Sequence, residues 1–186
     1  TRPTAVIPIP GDQTPGDIAA ALRTPTPDAE EIKLRYGVAK QVLASPDERI
    51  EVPGLGDRGP RQLSRQALGA VIEPRVEELF TFVQQVVRES GYDELLSSGI
   101  VLTGGTSQMP GVVELAEDIF LKPVRLGVPE YTGSLADVVR SPRFSTVMGL
   151  LAEARLQRVR GRRVAQQTGN VTQIFARMKE WFLGNF

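Results

Sequence analysis

Cysteine and histidine are both absent from the 186 residues of the chain. Without cysteine the chain cannot form disulfides, zinc–thiolate sites or a thiol nucleophile. Without histidine it cannot form a Ser-His-Asp triad, use an imidazole general base or bind a metal through imidazole. Any catalysis would therefore depend on carboxylates, lysine, arginine, hydroxyls, backbone amides or a bound cation.

An excess of charge of either sign is also absent, and so is a long apolar run. The 22 Lys and Arg residues balance the 22 Asp and Glu residues, so the molecule as a whole has no bias toward nucleic acid. No stretch is long and apolar enough to span a bilayer, and no signal peptide is recognisable. The chain opens without an initiator Met on the apolar stretch 4–9. We therefore expect a C-terminal piece of a longer, cytosolic protein.

Apolar residues at helical spacing alternate with short extended runs, which predicts a mostly parallel α/β sheet. Thr26 and Pro27 are typical of a helix N-cap and a first helical position. Pro74 predicts a kink or break in the longest helical segment. The strands are predicted at 4–9, 49–52, 100–102 and 122–127, and the helices at 16–22, 26–36, 61–90, 112–120 and from Ser145 onward. The apolar side of the longest helix is predicted to include Leu63, Ala67, Val71, Leu79, Phe82, Val83, Val86 and Val87.

Residues 99–111 combine a short apolar run, two adjacent glycines and the start of an amphipathic helix. The run 100–102 is typical of a buried strand, and Gly104 and Gly105 allow a sharp turn and a close approach of the backbone to another group. In α/β sheets, ligands bind at the carboxyl ends of strands, where such turns lie. The pattern alone leaves two interpretations open: a turn that contacts a ligand and a tight connection without one.

Bulky apolar side chains recur on one helical face of residues 171–186, which follow the basic and polar stretch 155–170. Such a stripe with basic flanks is typical of a helix lying in a membrane surface, and the upstream arginines add attraction to anionic lipid. The alternative is a helix that docks on the protein's own body or on a partner. The predicted membrane-facing residues are Ile174, Phe175, Met178, Trp181 and Phe182.

The order of these features resembles the C-terminal half of the FtsA family of bacterial cell-division proteins, within the actin/Hsp70 ATPase superfamily. The resemblance covers essentially the whole chain, and its motifs lie at 4–12, 21–37, 63–75, 99–105, 145–151 and in the tail. It implies the second lobe of an actin-like (ribonuclease H-like) α/β fold, with a mixed sheet, flanking helices, a small inserted α/β subdomain and a C-terminal amphipathic helix. The implied divisions are a larger subdomain at 1–45 and 98–154, a smaller one at 46–97, a linker at 155–170 and the terminal helix at 171–186.

The resemblance also implies an ATP site, of which this chain would carry only the adenosine side. In this superfamily the Gly-Gly turn lies against the adenosine, and a helix matching Glu30 and Lys33 reaches the ribose. Taken one at a time, these side chains and Arg65 fit solvated charges better than a site, and it is the order of the motifs that favours the site. The implied nucleotide-contacting residues are Gly104, Gly105, Thr106, Met109, Glu30, Lys33 and Arg65. Because the family's phosphate loops lie upstream of this chain, we expect ATP with Mg and at most weak ATPase activity in the intact protein, and weak or no nucleotide binding here.

By the same resemblance, the smaller subdomain would bind the C-terminal peptide of the tubulin-like protein FtsZ. Arg75 and Glu78 are the candidate contacts, since an arginine suits an acidic peptide, although two solvated charges would look the same in sequence. The implied role is a scaffold that tethers FtsZ filaments to the cytoplasmic face of the inner membrane at the division site. It would polymerise with itself, with its ATP site governing assembly, and recruit other division proteins, with no nucleic-acid partner. The alternatives are an actin-like type IV pilus assembly scaffold, whose terminal helix would pack on the fold, and a less favoured Hsp70-like chaperone.

Overall fold

The computed structural model describes residues 4–7 and 13–159, which contain six α-helices and four short strands. The helices are α1 (Gln13–Leu22), α2 (Thr26–Tyr36), α3 (Arg65–Glu89), α4 (Val112–Phe120), α5 (Ala136–Val139) and α6 (Ser145–Val159). The strands are β1 (Arg49–Val52), β2 (Arg61–Ser64), β3 (Ile100–Leu102) and β4 (Val124–Leu126). Single 3₁₀ turns lie at Gln41–Leu43, Asp93–Leu95, Thr106–Gln108 and Pro142–Phe144. The predicted α/β class is confirmed.

The N-terminal region differs from the sequence prediction in two details. Residues 4–7 form no strand, because no described strand pairs with them, and the rest of the predicted strand lies outside the described residues. Helix α2 begins at Thr26, but Thr26 is not its N-cap. The amide of Ala29 donates to the carbonyl of Pro25 at 2.9 Å, which makes Pro25 the cap residue. Asp28 in the first turn and Lys33 and Arg35 in the last suit the helix dipole.

Strands β1 and β2 form an antiparallel pair in which Ile50 faces Leu63 and Val52 faces Arg61. Ile50 and Val52 are buried while their neighbours in β1 are exposed, so the strand alternates as predicted. The prediction of helix from residue 61 was wrong, because residues 61–64 pair with β1 instead. Ser64 then accepts a hydrogen bond from the Ala67 amide at 3.2 Å and caps α3, which therefore starts at Arg65.

Helix α3 runs through Pro74 without a break. The proline removes the hydrogen bond to the carbonyl of Ala70, which is an exposed residue, so water can satisfy that carbonyl. The predicted apolar side was partly wrong, since Phe82 is 44% exposed. The reason is that α3 packs against α1 and α4, and this contact selects a different row of side chains. The residues buried along the helix are Leu68, Gly69, Ile72, Val76 and Phe80.

Strands β3 and β4 pair in parallel, as predicted, with Ile100 facing Val124 and Leu102 facing Leu126. Gly99 precedes β3 with φ +84°, and a Cβ there would lie 2.2 Å from the carbonyl oxygen of Pro123, so only glycine fits. The prediction that β3 is buried was wrong, since Val101 is 49% exposed. Within the described residues β3 has one strand neighbour, and helices do not cover both of its faces.

One hydrophobic core joins the helices α1 to α4 with strands β1, β3 and β4. Within this core, the rings of Phe80 on α3 and Phe120 on α4 pack against each other, with centroids 5.6 Å apart and planes tilted by 55°. Such a tilted aromatic pair is a favoured geometry. This core fixes α2, α3 and the segment after β3, which together carry the predicted site residues.

The contacts divide the chain into two units, Thr1–Thr146 and Val147–Phe186. Within the second unit, the described residues belong to α6, where Gln157 donates to Glu153 at 3.0 Å across one helical turn. The predicted start of this helix at Ser145 is confirmed. The predicted membrane-facing residues at 174–182 lie outside the described residues, and the predicted subdomain divisions stay predictions.

Candidate functional site

The Gly-Gly turn follows the carboxyl end of β3, and its two glycines differ in what the fold demands of them. Gly104 has φ +97°, which strongly favours glycine. Gly105 has φ −62° and ψ −43°, which any residue adopts. A Cβ at Gly105 would meet nothing closer than the Cβ of Arg143, 4.0 Å away. The described fold therefore explains the glycine at 104, whereas Gly105 is exposed and has open, solvent-facing space beside it.

Hydrogen bonds hold this turn in place. The amide of Gly104 donates to the carbonyl of Pro142 at 3.1 Å. The hydroxyl of Thr103 lies within hydrogen-bond distance of Ser145 Oγ at 2.5 Å, the Gly127 carbonyl at 3.0 Å and the Pro142 carbonyl at 3.3 Å. A backbone braced in this way offers a preformed surface, so a ligand would not have to order it on binding.

The side chain of Lys33 on α2 is largely enclosed, with 15% of its surface exposed. Its Nζ lies 2.6 Å from Glu30 Oε2, one helical turn earlier. The pair offers an ammonium donor and a carboxylate acceptor side by side, which is the combination that binds sugar hydroxyls.

Helix α2 also contacts the segment that follows the Gly-Gly turn. The methyl group of Met109 lies 3.2 Å from the position that a Cβ would take at Gly37, at the end of α2. The amide of Ala39 donates to the carbonyl of Pro110 at 2.8 Å. These contacts place the 106–109 segment beside the end of α2.

A cavity of about 310 Å³ lies between α1, α2, α3 and this segment. Its size is near the lower end for small-molecule pockets in proteins. Five predicted site residues line it, namely Lys33, Thr106 and Met109 from the nucleotide set and Arg75 and Glu78 from the partner set. Its apolar wall consists of Ile72, Val76, Leu79, Phe80, Val83, Leu102 and Val112. The structure thus brings the two predicted sites to one cavity, with Gly104, Gly105, Glu30 and Arg65 outside its lining.

Arg65 makes contacts that hold the fold together. Its Nε donates to the carbonyl of Tyr36 at 2.9 Å, and its Nη1 donates to Glu48 Oε2 at 3.0 Å. These bonds tie the start of α3 to the end of α2 and to the residue before β1. The predicted contact of Arg65 with the nucleotide stays a prediction.

Arg75 on α3 is held by two carboxylates. Its Nη1 donates to Glu78 at 2.9 Å and its Nη2 donates to Asp17 Oδ1 at 3.0 Å. Its Nε lies 2.7 Å from Asp17 Oδ2, but this N–H is not directed at that oxygen, which accepts no hydrogen bond within the described residues. The bonds to Glu78 and then to Asp17 raise the pKa of the Arg75 guanidinium above its usual value. With two carboxylates around one cation, this surface has a net negative charge.

Several of these contacts were missed at the sequence level. Asp17 and the residues 141–144 belong to none of the motifs noted above, and their roles arise from contacts across the fold. Within the described ranges, no group of three or more acidic side chains is placed to hold a metal ion. None of the helices in residues 13–159 combines the length and apolar character needed to cross a bilayer.

Comparisons with known proteins agree with the resemblance noted in the sequence. The sequence model of the family described as cell division protein FtsA matches residues 1–149. The cell division protein FtsA of Pseudomonas aeruginosa is 53% identical over 191 residues, which cover 100% of this chain and 46% of the relative. FtsA of Neisseria meningitidis is 44% identical, and FtsA of Escherichia coli K12 is 38% identical, with the same shares covered. The chain thus spans about half the length of these relatives.

A solved structure supports the fold independently. The structure of MreB5 of Spiroplasma citri bound to ADP matches with a TM-score of 0.53, over 78% of this chain and 47% of that chain. The sequence identity is 17%, so the likeness shows the fold alone. The chain therefore has an actin-like fold and belongs to the FtsA family of cell division proteins.

Proposed function

We propose that this chain is the adenosine-binding and membrane-attaching half of a cell-division scaffold. The scaffold tethers FtsZ filaments to the cytoplasmic face of the inner membrane at the division site, and ATP governs its self-assembly. The observation that carries the proposal is the open space beside Gly105, at the end of a strand where α/β proteins bind ligands. Family membership favours this role over a type IV pilus scaffold.

Four of the predicted residues, Gly105, Met109, Lys33 and Glu30, have a chemical task at such a site. The backbone of Gly105 lets a flat base approach closely, since no side chain intervenes. Met109 supplies a polarisable apolar contact. The Lys33–Glu30 pair provides a donor and an acceptor for ribose hydroxyls. In the intact protein, bound ATP with Mg would supply the phosphate-dependent signal for assembly, through loops that the family carries upstream.

The nucleoside part of the proposal is testable on the chain itself. Adenosine is titrated into ¹⁵N-labelled chain 1–186 while the amide shifts are followed by NMR. We expect millimolar affinity, with shifts concentrated at 104–109 and at the end of α2. The variant Lys33→Met should weaken binding about fivefold, as expected for one lost hydrogen bond. The matched control is Arg35→Met, which removes an exposed cation and its ion pair with Glu31 from the same helix.

Two results would count against the nucleoside site. One is an absence of shifts in the unaltered chain at high adenosine. The other is equal weakening by the Lys33 and Arg35 variants, which would indicate a general effect on α2 rather than a contact with the ligand.

The partner part of the proposal concerns Arg75. Since Asp17 and Glu78 already engage its guanidinium, an acidic FtsZ peptide would bind by replacing one of these carboxylates. Arg75→Ala should lower the affinity for a labelled FtsZ C-terminal peptide about tenfold, the loss typical of a charged hydrogen bond. Arg88→Ala, which alters an exposed arginine further along α3, should leave it unchanged. Equal affinities for the Arg75 variant and the unaltered chain would exclude this contact.

The membrane part of the proposal is based on the apolar stripe of the sequence at 171–186. Co-sedimentation with anionic and neutral liposomes compares chain 1–186 with chain 1–169. We expect anionic liposomes to bind only the longer chain, and Trp181→Ala to weaken binding while Gln173→Ala, off the stripe, does not. Equal sedimentation of both lengths would refute the anchor and favour a terminal helix docked on the protein.

A further inference from the structure

Asp17 on α1 and Glu78 on α3 lie along different edges of the Arg75 guanidinium. Asp17 lies along the edge that carries Nε and Nη2, with Oδ1 accepting from Nη2 at 3.0 Å and Oδ2 lying 2.7 Å from Nε. Glu78 accepts one hydrogen bond from Nη1 at 2.9 Å. Two adjacent N–H donors on one edge of a guanidinium form the fork that binds a carboxylate through both oxygens. Asp17 therefore lies across a fork that an acidic partner of Arg75 would use.

The two carboxylates differ in how firmly the fold keeps them beside Arg75. Glu78 follows Arg75 by one helical turn, and 48% of its side chain is exposed. Such an exposed pair contributes little to stability, and the side chain can move into solvent. The side chain of Asp17 is only 28% exposed, and the next residue, Ile18, is fully buried in the core. Because the core fixes Asp17 in place, it competes with an incoming carboxylate more strongly than Glu78 does.

The contact between Asp17 and Arg75 is also incomplete, which allows it to be exchanged. Asp17 Oδ2 is buried and accepts no hydrogen bond from the described residues. A partner carboxylate that aligns with both N–H groups of the fork gains a bond that Asp17 does not make. Asp17 and Thr14 both line the cavity of about 310 Å³ described above, and a cavity of this size with polar groups can hold water. The displaced Asp17 carboxylate therefore has polar surroundings into which it can turn.

We infer that Asp17 is an internal competitor that lowers the affinity of Arg75 for acidic peptides. The inference rests on the proposed function, because it assigns a regulator to the same partner contact. Binding exchanges one carboxylate for another at the edge with Nε and Nη2, so the peptide gains only the difference between the two contacts. The peptide also approaches a surface on which two carboxylates surround one cation, and like charges repel.

Removing the charge of Asp17 should strengthen peptide binding, whereas the loss of a merely supporting contact would weaken it or leave it unchanged. Asp17→Asn keeps the size of the side chain but makes it a neutral, weaker acceptor. We expect Asp17→Asn to bind a labelled FtsZ C-terminal peptide about fivefold more tightly than the unaltered chain, the factor for one hydrogen bond. Glu78→Gln should tighten binding by less than about twofold, since an exposed pair competes weakly.

Fluorescence anisotropy of the peptide measures these affinities for chain 1–186 and its variants, and thermal unfolding checks that each variant is folded. Asp17→Ser is a second uncharged variant. Glu77→Gln is the matched control, because Glu77 is exposed on the same helix and forms no ion pair among the residues that the structure describes. It should bind the peptide like the unaltered chain. In the Arg75→Ala background, Asp17→Asn should give no gain, because the competition needs the guanidinium.

The outcomes separate this inference from the proposed function. If Arg75→Ala weakens peptide binding but Asp17→Asn does not tighten it, the competition is overturned while the partner contact stands. If Glu77→Gln tightens binding as much as Asp17→Asn, general charge repulsion is the cause and the competition is again overturned. A gain in Glu78→Gln larger than the gain in Asp17→Asn would make Glu78 the competitor and overturn the role of Asp17. If the peptide binds neither the unaltered chain nor Asp17→Asn, both the contact and the inference fail.

Discussion

Replacing Gly105 by alanine separates the demands of folding from those of ligand binding. The backbone of Gly105 is in the right-handed helical region, with φ −62° and ψ −43°. The added methyl group would have no neighbour closer than 4.0 Å in the described fold. The substitution should therefore cause no strain, and it removes conformational freedom from the unfolded chain. We expect the free energy of unfolding to rise by about 0.4–1 kcal/mol.

The same methyl group would occupy the space into which the proposed base fits. A base in contact with the Gly105 backbone would have to move outward or distort the turn. Overpacking of this kind costs about 1–3 kcal/mol, which corresponds to a loss of affinity of roughly 5- to 150-fold. The variant should thus be more stable than the unaltered chain and bind adenosine much more weakly.

Chemical denaturation and the adenosine titration measure the two effects on the same sample. Gly59→Ala is the matched control, because Gly59 also has free space around it and no positive φ, and it lies in the loop between β1 and β2. It should leave adenosine binding unchanged. Gly104→Ala should instead destabilise the fold by about 1–2 kcal/mol, since its φ of +97° disfavours a side chain. Normal adenosine affinity in Gly105→Ala would refute the assignment of this turn to the base.

Three further predictions concern the fold. Gly99→Ala should lower the free energy of unfolding in urea by about 2 kcal/mol or more, because of its positive φ and the contact with Pro123; an unchanged value would refute the claim that only glycine fits there. Phe80→Ala should cost about 3–5 kcal/mol in the same assay, since it empties the core between α3 and α4; a loss under about 1 kcal/mol would contradict that core. The hydrogen bond to Asp118 raises the pKa of Lys40 above 10.5, so the pair stabilises the fold fully below that pH and loses its effect as the pH rises through the raised pKa. Lys40→Met should therefore flatten the dependence of unfolding free energy on pH above 10.5, and an unchanged slope would exclude the pair as its cause.

The sequence correctly predicted those strands and helices whose residue pattern lies within the element itself. The alternation at 49–52, the apolar run at 100–102 and the helical spacing at 112–120 each correspond to an observed element. Strand β2 was missed because Arg61–Ser64 contains a single apolar residue, and its conformation depends on pairing with β1. The buried row of α3 was also mispredicted, since the partner helices determine which side of an apolar helix is covered.

The candidate site likewise contains residues that sequence motifs indicated and residues that only the folded chain brings together. The turn after β3 was predicted from its glycines, and Lys33, which lines the cavity, was named from a motif that resembles a family. The partners of those residues were not, because Thr103 and Ser145 are 42 positions apart and Asp17 and Arg75 are 58 apart. No spacing rule for helices or strands reaches over such distances, so contacts of this kind appear only once the chain is folded.

The most direct test of the central claim is a crystal structure of chain 1–186 grown with saturating adenosine. The account predicts electron density for the base against the backbone of Gly105, with the ribose toward Lys33 and Glu30. Density for the nucleoside at another surface, with the space beside Gly105 empty, would contradict the account.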